Sequence, residues 1–200
     1  HMYLHKIMHV SFFALFSPCV SIMVIIFLVD FIFSCILFLY LYKNKSNYLI
    51  TALPLFVLAS HQLEEYVLSP LMFGDKYHFL EWAFRSGVNI SPIEVTTINS
   101  VPYFLLPLLF LLKPSTKIFS ILFLFNSSLL LSNGMFHIGL ATAQTDYSPG
   151  MVTSLFMYIH LYIKSLYLAS ERSLPMRGQI AITIYGSIAH FLMIWLVNIF

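Results

Sequence analysis

Apolar residues come in long runs along this chain, and short polar clusters separate them. The first run covers residues 10 to 42. It is longer than the ~20 residues one membrane-spanning helix needs and too short for two spans with a turn. Pro18 divides it, which predicts a short entry segment and then a span over about 21–41. Lys43-Asn44-Lys45-Ser46-Asn47 is the first loop, and further spans are predicted over about 48–72, 96–112, 118–140, 150–168 and 180–200. Pro54 is placed to kink the second span, and Pro102 and Pro107 lie inside the third. The longest polar segment is 73–95. Its middle, Tyr77 to Phe84, mixes aromatic and charged residues and predicts a short amphipathic helix lying in the membrane interface. Trp82, with His78 and Glu81, reads as its anchor. No internal repeat and no low-complexity linker interrupts the pattern. The expected fold is an all-α polytopic membrane bundle of about six transmembrane helices, one domain over residues 1–200.

Composition agrees with this pattern. The chain is 60% hydrophobic and 9% charged, with a mean hydropathy of +0.87, whereas a soluble domain carries about 25% charged residues. That much apolar surface cannot fit inside one globular core of this size. A net charge of +2 gives no basis for a nucleic-acid partner. Cys19 and Cys35 would lie roughly 24 Å apart on a continuous helix, too far for a disulfide. Lys6 and the run behind it have the outline of a secretory leader, but the run continues past any cleavage point and Pro18-Cys19 is a poor cleavage site. His1-Met2 reads as a cloning remnant.

The basic residues orient the bundle. Lys43, Lys45, Lys113, Lys117, Lys164, Arg172 and Arg177 fall on one side, and Lys6, Lys76 and Arg85 on the other. The first side is expected to be cytoplasmic. Both termini and the 73–95 segment are then outside, in a bacterial cytoplasmic (inner) membrane.

Against this apolar background one stretch stands out: His61-Gln62-Leu63-Glu64-Glu65, deep in the second span. Spacings of three and four place His61, Glu64 and Glu65 on one helix face. An imidazole and two carboxylates there are costly unless they pair, reach water or bind a cation. The fourth span carries Asn126, Asn133 and His137 at spacings of seven and four, again one face. In the predicted topology the two groups reach similar depth. If the faces meet, imidazole nitrogens and carboxylate oxygens suit zinc, iron or manganese. His61 and Glu65 could grip one ion, leaving Glu64 as general base or as a ligand to a second metal. The plain alternative is a hydrogen-bonded knot that ties helices together. Asp30 is either a site carboxylate or a histidine's partner, His160 either completes the site or bonds between helices, and His190 reads as packing.

These residues resemble the bacterial membrane proteins named after their HXXEE motif, a family of unknown function. His61-Gln62-Leu63-Glu64-Glu65 fits that motif. Asn133-Gly134-Met135-Phe136-His137 and Tyr147-Ser148-Pro149-Gly150 are similar to the family's second signature. The resemblance implies a multi-span helical fold and singles out His61, Glu64, Glu65, Asn133, His137 and Tyr147. It implies no substrate.

The function expected from the residues is a membrane-embedded metal-dependent enzyme, a hydrolase acting on a lipidic or isoprenoid substrate that enters from the bilayer. His61, Glu65 and His137 would be metal ligands for zinc or iron. Glu64 would be the acid/base group, and Asn133 and Tyr147 would orient substrate or stabilise an oxyanion. The alternatives are a di-metal oxidoreductase, a metal-free isoprenoid cyclase using an intramembrane Glu as acid, and a small proton-coupled transporter.

Overall fold

The computed structural model describes residues 18–46, 48–88, 90–112 and 115–197. Every regular element among them is helical. The order is α1 (Pro18–Lys43), α2 (Leu49–Leu63, continued by a π turn Glu64–Leu68 and by Ser69–Phe73), a 3₁₀ turn Asp75–Tyr77, and α3 (Phe79–Arg85). Then come α4 (Pro92–Leu112), α5 (Thr116–Gln144), α6 (Met151–Thr153, a π turn Ser154–Tyr158, then Ile159–Glu171) and α7 (Met176–Val197).

Four stretches among the described residues are long and apolar enough to cross a membrane: Ile22–Lys43, Thr116–Gln144, Met151–Glu171 and Met176–Leu196. They belong to α1, α5, α6 and α7. The predicted second and third spans appear as α2 and α4, which stand outside this group of four. The predicted entry segment before Pro18 and the residues His1-Met2 lie outside the described residues. Cys19 and Cys35 share the continuous helix α1.

Periodicity decides what each helix shows to its surroundings. On α1, Ile22, Ile25, Val29, Ile32, Ile36 and Leu39 recur every three or four residues and are exposed. On the other side of the same helix, Met23, Phe27 and Ser34 are buried. On α7, Ile180, Ile184, Ile188, Phe191 and Trp195 form a second exposed stripe. Apolar stripes this long are stable against lipid tails and unstable against water.

α5 is the central helix and packs against α2, α6 and α7. Val57 and Leu58 of α2, Phe123 and Leu130 of α5, and Tyr158 and Leu161 of α6 form one core cluster. Met23, Phe27, Tyr66 and Val95 join α1, α2 and α4 in another. Gly186 lets α7 lie close on α5, since a Cβ there would stand 2.8 Å from the Phe125 carbonyl oxygen.

The helix ends follow local chemistry. Ser91 and Glu94 form a reciprocal capping box at the start of α4: the Ser91 N–H donates to Glu94 Oε2 (2.6 Å) and the Glu94 N–H to Ser91 Oγ (3.3 Å). Ser115 caps α5 by accepting from the Ile118 N–H. The inter-helix segments are tied on each side of the bundle. Arg172 donates to the Thr116 carbonyl on one side. On the other, Tyr77 donates to Asp146 and Gln144 to Ser86.

In the 73–95 segment the predicted anchor residues Trp82 and His78 pack inward. Phe79, Trp82 and Ala83 sit at i, i+3 and i+4 on α3, and Trp82 and Ala83 are buried against protein. Trp82 is therefore a packing residue inside the bundle and not an interface anchor. His78 is buried too, edge-on to Tyr66 at 5.5 Å between ring centroids.

Candidate metal centre

The site forms where α2, α5 and the start of α6 meet. Both α2 and α6 carry a π turn there, Glu64–Leu68 and Ser154–Tyr158. A π turn inserts one residue into the helix and re-aims the side chains around it, and such turns concentrate at functional sites. Here Glu65 is aimed at His61, one turn before it, and at His137 of α5. Glu65 Oε1 lies 3.2 Å from His61 Nε2 and 3.0 Å from His137 Nε2. The three ligand atoms lie within 4.8 Å of one another, and all three residues are buried. His61, Glu65 and His137 thus form a group that could hold a metal ion.

The outer nitrogens of both rings are held by hydroxyls. His61 Nδ1 lies 2.8 Å from Thr153 Oγ1, and that hydroxyl donates to the Gly150 carbonyl at 3.1 Å. A hydroxyl that donates there is placed to accept from His61 Nδ1–H. His137 Nδ1 lies 3.0 Å from Ser148 Oγ, which reaches the Pro149 carbonyl at 3.4 Å. Both hydroxyls are thus compatible with the tautomer in which Nδ1–H donates outward and Nε2 presents a lone pair to the site. In that tautomer two lone pairs and a carboxylate oxygen converge, and acceptors at that separation repel unless a cation or a proton lies among them. The Asn133 amide is the donor nearby, 3.1 Å from His61 Nε2.

Gly150 is required by this geometry. Its φ is +85°, a left-handed conformation, and a Cβ there would stand 2.4 Å from His61 Cε1 and 3.0 Å from Glu65 Cγ. Gly134 on α5 does similar work beside the second π turn, where a Cβ would lie 3.1 Å from Ser154 Cβ and from Tyr158 Cδ2. Aromatic rings enclose the rest. Trp82 stacks on His137 with centroids 6.0 Å apart and planes at 22°, and Tyr158 lies 4.8 Å from His61.

Glu64 points elsewhere. Its Oε1 accepts from the Tyr147 hydroxyl (2.6 Å) and the Val152 N–H (3.0 Å), and its Oε2 from the Thr153 N–H (2.7 Å). It satisfies the free amides at the start of α6 and complements that helix's positive end. Ser69 shares the Tyr147 hydroxyl at 2.9 Å. The phenol of Tyr147 is thus bound to Glu64 and Ser69 and does not face the triad. Burial pushes its pKa up, and the bond to Glu64 adds to that shift. Asp146, beside it, is held below the usual carboxylate range by the Tyr77 hydroxyl and the Tyr147 N–H.

The remaining sequence candidates divide. Asn126 is exposed and outside the site. Eleven residues separate it from His137, about 16 Å of helix, so a shared face does not give a shared depth. His160 is exposed and bonds to the Phe156 carbonyl of its own helix. Asp30 acts electrostatically on Tyr103 of α4 and has no histidine partner among the described residues. His190 is buried and lines a cleft beside the triad. That cleft, small at about 80 Å³ and partly open, is also lined by His61, Glu65, Asn133, Tyr66, Phe136 and apolar residues of α4 and α7. Sequence reasoning assigned no role to Ser148 or Val152. Ser148-Pro149-Gly150 was available as a signal, because the motif places a hydroxyl and a glycine just before the helix.

The fold and site together define an all-helical protein with membrane-type helices and a buried His-Glu-His group. A family model described as "Protein of unknown function with HXXEE motif" matches residues 51–164, more than half of the chain, and the protein belongs to that family. Comparison with curated proteins and with solved structures gives no match.

Proposed function

We propose that this protein is a membrane-embedded, metal-dependent enzyme that hydrolyses a lipidic or isoprenoid substrate. The observation that carries this reading is the convergence of His61 Nε2, His137 Nε2 and Glu65 Oε1 with both Nδ1–H groups already held by hydroxyls. Metal-binding histidines have this outer support, which fixes the tautomer and the ring orientation. Two histidines and one carboxylate also match catalytic sites that leave a coordination position open. A bound zinc or iron would supply Lewis-acid activation of water or of a substrate carbonyl or phosphoryl oxygen.

The chain's own residues do the rest. Glu65, His61 and His137 would hold the ion, and Asn133 presents an amide donor 3.1 Å from His61 Nε2. The aromatic wall of Trp82, Phe79 and Tyr158 limits water. Glu64 and Tyr147 keep the α6 entry, and with it Thr153, in position. This changes the expected assignment, since both are positioning residues and neither is free to act as an acid, base or oxyanion donor. A two-metal centre would need Glu64, whose oxygens already accept from three donors. A single iron held by two histidines and a carboxylate is the second reading, because the same donor set serves oxygen-using iron enzymes. A proton relay fits less well, since His160 lies on an exposed face.

The setting belongs to the same proposal: six spans, with α2 and α4 as the second and third, in a bacterial cytoplasmic membrane with both termini outside. The loop containing Lys43 and Lys45 and the one containing Arg172 and Arg177 lie on one side of the bundle, and the site lies toward the other.

Reconstituted protein incubated with bacterial lipid extract in ¹⁸O-labelled water tests the reading. Chelator-sensitive formation of a product carrying one ¹⁸O is expected. Product labelled only from ¹⁸O₂ would favour the iron reading, and chelator-insensitive turnover would contradict both.

A further inference from the structure

His190 is one of several buried polar side chains without a hydrogen-bond partner among the described residues, and it lines the cleft beside the triad. Its side chain is 1% exposed, and neither ring nitrogen has a hydrogen-bond partner among the described residues. Its nearest rings are Phe136 and Phe191, with centroids at 6.4 and 5.4 Å. An imidazole always carries at least one N–H donor, and in its neutral form one lone pair as well. Leaving both unpaired in an apolar interior is unfavourable, and a phenylalanine or leucine would pack there without that cost. A buried imidazole in this state, at the wall of a cleft, is suited to a polar group that enters the cleft.

Its position says what that is. His190, Met193 and Ile194 occupy one face of α7, and Val95, Ile98 and Asn99 one face of α4; both faces line the cleft that contains His61 and Glu65. The opposite surface of α7, with Phe191, Leu192 and Trp195, is exposed and apolar. The cleft therefore has two apolar walls, a buried polar triad, and a separate imidazole on one wall.

We propose that His190 is a substrate-binding residue. It would hydrogen-bond a hydroxyl or carbonyl oxygen of a single-chain amphiphile whose hydrocarbon tail lies between α4 and α7. This deepens the reading of the site as a lipid-handling centre and rests on it for the chemistry at the triad. It assigns the class of ligand: one aliphatic or isoprenoid chain with an oxygen-bearing head.

Photolabelling of the full chain in nanodiscs tests this with two probes of equal chain length, a diazirine-bearing dodecanol and the matching dodecane. The dodecanol is expected to label the 90–101 and 190–196 regions several-fold more than the hydrocarbon does. His190→Phe should reduce dodecanol labelling to the hydrocarbon level, with metal content and thermal midpoint unchanged or the midpoint raised. His190→Gln, which restores a donor and an acceptor, should recover much of the labelling. Equal labelling by wild type and His190→Phe overturns the proposal. So does a loss in His190→Gln as large as in His190→Phe, or a lowered midpoint in both variants with labelling intact, which is the signature of a structural histidine. Labelling that responds to His190 in a protein that never binds metal would leave this inference standing and remove the metalloenzyme reading.

Discussion

Glu64 and Glu65 are neighbours in sequence, both buried, and they meet opposite surroundings. Around Glu64 every contact is a donor: a phenol and two backbone amides. Around Glu65 the close contacts are two imidazole nitrogens, which carry lone pairs in the tautomer with Nδ1–H turned to the hydroxyls. One carboxylate is satisfied by the fold. In that tautomer the other is satisfied when a cation or proton joins it. The general lesson is that a buried charge reveals its role through what its neighbours can donate.

That contrast can be broken or sharpened by mutation. The largest stability effect is expected at Glu64. Glu64→Ala strands the Val152 and Thr153 amides and the Tyr147 hydroxyl, at a cost of about 3 kcal/mol, read as a fall in the denaturant midpoint in detergent. Glu65→Gln should act in the opposite sense on the metal-free protein. The amide offers N–H to a histidine lone pair, so stability should hold or rise while metal binding is lost. Equal destabilisation by the two variants would erase the distinction.

Gly150→Ala comes next. The added methyl group must displace His61 and also strains a left-handed backbone, which should cost roughly 1–3 kcal/mol and weaken metal affinity as well. Thr153→Val and Ser148→Ala remove the hydroxyls behind the two rings. Each should lower metal affinity by about 10–100-fold with the fold intact, measured by competition with a chromogenic chelator.

The smallest effect concerns pH. Burial pushes the His78 pKa down to about 4, below its ordinary value near 6.5. The unfolded chain binds that proton first, so the neutral ring favours the folded state fully above about pH 6.5. This stabilisation is lost as pH falls toward 4. His78→Phe should flatten the stability profile across that window, by up to roughly 1–3 kcal/mol at its acid end. An unchanged profile would show that other groups govern it.

Much of this was legible in the sequence, for identifiable reasons. Long apolar runs broken by polar clusters mark the helices, because a spanning helix has a minimum length. A histidine and a glutamate at i, i+4 must share a face, so the His61–Glu65 pair could be read directly. The pairing with His137 followed from topology and depth. The two π turns could not be read, since they arise from packing rather than from local propensity. They separate Glu64 from Glu65, which helical spacing alone had kept together. Asn126 misled for a related reason: periodicity reports the angle around a helix and not the height along it. Trp82 misled because an aromatic stripe on a short helix suits lipid and protein equally, and here protein covers it.

The most direct test of the central claim is metal content, by plasma mass spectrometry, of protein purified without chelator, comparing wild type, Glu65→Gln and Glu64→Gln. Near-stoichiometric zinc or iron is expected in wild type and in the folded fraction of Glu64→Gln, and background in Glu65→Gln. Background metal in wild type, after an attempt to load zinc and ferrous iron, would contradict the account.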